Sequence, residues 1–176
     1  MPYSLTYVFT TKPHSALSWC IRTVTKRKFS HVSMELHLPE FDRDMLFQAT
    51  WPYVAVTNTK LFYAKETIVD TITIPISDDE MRTVMQIALD NTGKTYATMK
   101  LLGIAYRKLM RAFGYNVKNP AADGDKTEEC AELGALVLIA LRVPPSDDRE
   151  AVDPGWVYDR AYELQKERLP RAKMGD

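Results

Sequence analysis

The 176-residue chain is poor in several things: it has two cysteines, seven glycines, no net formal charge and no long apolar run. Cys20 and Cys130 cannot build a disulfide framework or a metal cage by themselves, so both read as reduced thiols. The 23 basic and 23 acidic residues cancel, which removes the electrostatic argument for nucleic acid as a partner. The longest apolar stretch, Leu133 to Leu141, is far too short to cross a bilayer, and the first thirty residues lack a signal-peptide core. A cytoplasmic location is the default expectation; a protein carried in a virus particle or released by lysis would show the same features. With 45% hydrophobic and 26% charged residues and no internal repeat, the chain reads as one globular domain over residues 1–176.

What is present is a switch of hydrophobic period along the chain. Ser4 to Thr10 is rich in β-branched and aromatic residues and predicts a strand ended by Lys12-Pro13. A short helix follows, capped by Ser15 or Ser18, with Leu17, Cys20, Ile21 and Val24 on one apolar face. From His31 to Leu38 the pattern alternates: His31, Ser33, Glu35 and His37 face one way, Val32, Met34, Leu36 and Leu38 the other. Met45 to Thr50 and Tyr53 to Thr57 continue an antiparallel meander, and Thr67 to Ile76 alternates again, for four to six strands in all. Ser77 and Glu80 form a capping-box signature for a helix to about Asn91. Further helices are predicted over Lys94 to Phe113, Thr127 to Leu141 and Trp156 to Arg168. The fold class is α+β, with an antiparallel sheet packed against a central helix that bears Cys130.

Cys130 falls in the first turn of that helix, where unpaired amides and the helix dipole favour thiolate over thiol. Glu128, Glu129 and Glu132 oppose this, so a histidine is needed to take the proton. His31 is the best placed, because it starts a strand whose alternate residues are polar; His14 lies in a loop, and His37 is about 20 Å further along the same strand. Gln48, on a neighbouring strand, offers a side-chain oxygen to orient the ring. Glu35 competes for that role but sits about 13 Å along the strand from His31. Cys20, in an apolar stripe, reads as core packing.

Three blocks of residues carry a resemblance. They are Ser18 to Thr25 running into Phe29-Ser30-His31-Val32-Ser33-Met34, Leu46-Phe47-Gln48-Ala49 followed by Val54 to Phe62, and Tyr96 to Leu102 followed by Glu129-Cys130-Ala131-Glu132-Leu133. In this order they resemble the circularly permuted branch of the papain-like, NlpC-type cysteine hydrolases. That branch includes the YiiX/YaeF-like proteins and, more distantly, the lecithin retinol acyltransferase group. The resemblance spans about residues 4 to 141. It implies a cysteine peptidase or amidase-type hydrolase with Cys130 as nucleophile, His31 as general base and Gln48 as orienting residue, acting on murein peptides or acyl lipids without a cofactor. Gln48 stands where the family usually has Glu, and Ala131 where it often has Ser. Both departures leave open a non-catalytic accessory module, for example a virus-encoded one, that keeps the fold.

Two further features have plain readings. Glu35 and His37 share a face at i, i+2 spacing, but no second ligand pair accompanies them, so no metal is expected. Lys94 to Arg111 carries five basic residues and no acid, which reads as a solvated face or as a contact for an anionic surface.

Overall fold

A computed structural model describes residues 3–96, 106, 110–111, 113–115, 117, 127–128, 130–146 and 152–169. Its centre is a five-stranded antiparallel sheet built from β1 (Tyr3–Thr11), β2 (His31–Leu38), β3 (Arg43–Ala49), β4 (Val54–Thr57) and β5 (Thr67–Ile76). The strand order is β4-β3-β2-β1-β5, so the meander expected for β2 to β4 is present and β1 lies between β2 and β5. The β1–β5 register slips between Phe9 and Thr10, at the end of the sheet where β2 begins.

Alternation sorts the residues into two faces. One carries Leu5, Tyr7, Phe9, Val32, Met34, Leu36, Phe47, Ile72, Ile74 and Ile76, all buried in one cluster with the helices above them. Burying a Leu, Ile or Phe side chain stabilises by about 1.5–3 kcal/mol each, so this face carries most of the cohesion. Its covering helices are α3 (Asp78–Asn91), α4 (Cys130–Ala140) and α5 (Pro154–Arg168). The Ser77–Glu80 capping box is formed as the sequence implies, and Asp153 caps α5 with Pro154 in its first turn. α4 touches both sheet and α5: Tyr7 donates to the Gly134 carbonyl at 3.2 Å, and a Cβ at Gly134 would lie 3.1 Å from Val157 Cγ1. Arg168 joins the layers by donating to both Glu80 oxygens and to the carbonyls of Pro75 and Leu141.

The opposite face is polar, and α2 (Thr59–Lys65) lies on it. Phe62 packs there with Val8 and Leu46, and Thr6 bonds Thr73 across the strands at 3.0 Å. No periodic pattern predicts α2; Asn58 caps it by accepting from the Leu61 N–H.

Three other expectations change. Lys94 to Phe113 was expected to be one helix, but Thr95–Tyr96 is a short strand, β6, paired in parallel with β7 (Thr127–Glu128); most of the remaining segment lies outside the described residues. Consequently the Cys130 helix begins at Cys130 and not at Thr127, because Thr127 and Glu128 pair as a strand. In α1 (Ala16–Thr25) the buried residues are Ser18 and Ile21, whereas Cys20 is only half-buried. The cause is polar: Ser18 Oγ meets Thr11 Oγ1 at 3.2 Å and Ser30 Oγ at 2.7 Å, and it accepts from the Lys12 N–H. This rotates α1 so that a hydroxyl cluster turns inward.

Candidate active site

His31 opens β2 opposite Thr10 of β1, and Ser30, just before it, donates its N–H to the Thr10 carbonyl at 2.9 Å. That bond and the Ser18–Ser30 contact fix the backbone from which the imidazole projects. Its Nε2 lies 2.9 Å from Gln48 Oε1, while Gln48 Nε2 donates to Thr57 Oγ1 at 3.3 Å. Gln48 is buried at 7% exposure, so both ends of its amide need partners, and the two contacts supply them. An amide oxygen only accepts. His31 Nε2 therefore carries the hydrogen, and the proton-free nitrogen of the neutral ring is Nδ1.

The surroundings bias the ring toward that neutral form. Burial lowers its pKa, the Gln48 bond and the Glu66 carboxylate pull it upward, Lys12 pushes it down, and the net displacement is below the ordinary 6.5. Glu66 and Lys12 form an ion pair at 3.0 Å, and Thr10 Oγ1 donates to Glu66 at 3.5 Å. Thr57, Glu66 and Lys12 had no local signal in the sequence. They reach His31 and Gln48 only through the registers of neighbouring strands.

The other polar residues of this strand are engaged elsewhere. Glu35 accepts from the Tyr63 hydroxyl at 2.7 Å, and His37 Nδ1 contacts Asp44 at 2.7 Å on the exposed edge. Gln48, not Glu35, is thus the hydrogen-bond partner of His31. Among the described residues no group of three or more His, Cys, Asp or Glu side chains converges as a metal would require.

Cys130 is the first residue of α4 and is 1% exposed, packed in the cluster that also holds Val32, Ala49 and Val54. It reaches the His31 end of the sheet: Tyr53, just before β4, bridges Thr95, and Thr95 pairs with Thr127, three residues before Cys130. By strand alternation, however, His31 and Gln48 belong to the face on which α2 lies, and the Cys130 cluster to the other. The fold brings His31 and Gln48 into direct contact, and it brings the start of α4 to the same end of the sheet from the opposite layer.

The α+β arrangement of sheet and helices has a counterpart among solved structures. No family model matches the chain, and no curated protein matches it. The crystal structure described as metalloprotein yiiX from Escherichia coli O157:H7, DUF1105, is similar with a TM-score of 0.50, covering 90% of this chain and 92% of that one at 17% sequence identity. The chain therefore has a YiiX-like fold, as the three sequence blocks implied. No helix among the described residues is long and apolar enough to cross a membrane.

Proposed function

We propose that the protein is a thiol hydrolase of amide or ester bonds, with Cys130 as nucleophile, His31 as general base and Gln48 as the residue that orients the base. The observation that carries this reading is the 2.9 Å bond from His31 Nε2 to Gln48, which leaves Nδ1 as the basic nitrogen of a neutral imidazole. In the proposed reaction Nδ1 takes the Cys130 thiol proton and the sulfur adds to the substrate carbonyl carbon. The Cys130 N–H, at the start of α4, donates to the resulting oxyanion. His31 then protonates the departing amine or alcohol as the acyl thioester forms. It next takes a proton from water, whose oxygen adds to the thioester carbonyl and displaces the Cys130 thiolate, which takes that proton back as the acid leaves. The substrate class is a peptide of the murein type or an acyl lipid, no metal or nucleic acid takes part, and the permuted papain-like domain extends over residues 1–176. The reaction belongs in the cytoplasm, where both free cysteines stay reduced.

One observation favours a second reading, a non-catalytic binding module: Cys130 is buried in the layer opposite His31. Turnover on panels of peptidoglycan fragments and acyl lipids separates the two. A hydrolase releases acid from one panel, forms a Cys130 acyl adduct detectable by mass, and loses at least about a thousandfold in rate as Cys130→Ser. Turnover that survives this substitution, or no turnover on either panel, supports the module.

A further inference from the structure

The Gln48 amide that holds His31 carries no charge, yet a base that accepts a proton becomes a cation in a partly desolvated place. The structure supplies an anion one strand away. Glu66 ends α2 and precedes β5, with its backbone N–H bonded to the Phe62 carbonyl. Its side chain is 11% exposed and is held by Lys12 Nζ at 3.0 Å and the Thr10 hydroxyl at 3.5 Å. Thr10 is also the residue that pairs with His31 across the sheet and with Ile68 on β5, so it links carboxylate and imidazole on one face. Lys12 cannot cancel this anion fully. The Lys12 side chain is 60% exposed and its charge is screened by water, whereas Glu66 lies in the lower-dielectric region toward the sheet.

We propose that Glu66 is the charged partner of the His31 imidazole, a positioning residue that strengthens Nδ1 as a base and stabilises the imidazolium once the thiol proton has moved. The proposal rests on His31 being the base of the thiol reaction. The thiol proton goes to Nδ1, and none is passed on to Glu66. The charged groups acting on the ring are Glu66 from the end of α2 and Lys12 from the end of β1; Gln48, from β3, is neutral, and Glu35 on the same strand is engaged by Tyr63. The opposing influences of Glu66 and Lys12 on His31 agree with this placement.

The test is a pH titration of the histidine ring resonances by NMR, with His31→Asn assigning the signal. Glu66→Gln should lower the His31 midpoint, Glu66→Asp should restore part of it, and Lys12→Met should raise it. The Cys130 alkylation rate near neutral pH should fall on the order of threefold in Glu66→Gln. An unchanged His31 midpoint in Glu66→Gln overturns the proposal, even if the melting temperature drops, because a merely structural carboxylate would not move the titration. Should Glu66→Gln not fold, the sign of the Lys12→Met shift decides, and a downward shift or none overturns it. The titration needs no turnover. If the midpoints move as stated but no acyl substrate is cleaved, the electrostatic pairing stands and the hydrolase reading falls.

Discussion

The two faces of the sheet are built on opposite principles although they share five strands. The inner face is apolar from Leu5 to Ile76 and covered by three helices, so its stability comes from area removed from water. The outer face has a small apolar cluster of Val8, Leu46 and Phe62, with polar residues beside it joined in pairs: His31 to Gln48, Gln48 to Thr57, Glu35 to Tyr63. Alternation within one strand therefore separates cohesion from chemistry: Val32 and His31 are neighbours in sequence and belong to different economies of contact.

The largest test of that contrast is to truncate an aromatic on each side. Phe47→Ala should cost about 3–5 kcal/mol in urea unfolding, against about 2 kcal/mol for Phe62→Ala, whose helix is short and free to settle. Equal losses would mean that the outer face is as cohesive as the inner one. Next, Gly134→Ala should cost about 1–2 kcal/mol, because its new methyl meets Val157 on α5, partly offset by better helix propensity. Gly134→Ala with Val157→Ala should show less than the summed loss if the 3.1 Å approach is the cause.

A smaller effect, about 1 kcal/mol, is expected for Glu80→Ala, which removes the capping box and the Arg168 partner. Burial pushes the Glu80 carboxyl up, but Arg168 and Ser77 hold it below the ordinary 4.5. Its contribution is therefore present above that value and is lost as pH falls through the folded one. The smallest effect is that of His31. Its folded pKa lies below 6.5, so below that pH the unfolded chain binds a proton that the folded chain resists. Stability should fall as pH drops from 6.5 toward the folded value, and the decline should be weaker in His31→Asn when wild-type and variant melting curves are subtracted.

Much of the frame was legible because it rests on local periods. The alternation of His31 to Leu38 matches β2 residue for residue, and Ser77 with Glu80 marks the start of α3. What was not legible depends on distant pairing. The helix expected from Thr127 starts instead at Cys130, because Thr127 and Glu128 pair with Thr95 and Tyr96. The seven residues of α2 are too few for a helical period to stand out. At the site, His31 and Gln48 could be paired from neighbouring strands, whereas Thr57, Glu66 and Lys12 approach them through strand registers that no short window contains. The hydroxyl cluster of Thr11, Ser18 and Ser30 was hidden for the same reason, and it turned α1 away from the apolar stripe expected around Cys20.

The most direct measurement is alkylation of the native protein by iodoacetamide across pH, with adducts mapped by mass and half-buried Cys20 as the internal reference. An imidazole that activates the sulfur makes Cys130 the faster thiol below about pH 7, an advantage that disappears in His31→Ala. Cys130 reacting no faster than Cys20, or staying unmodified until the protein unfolds, would contradict the account.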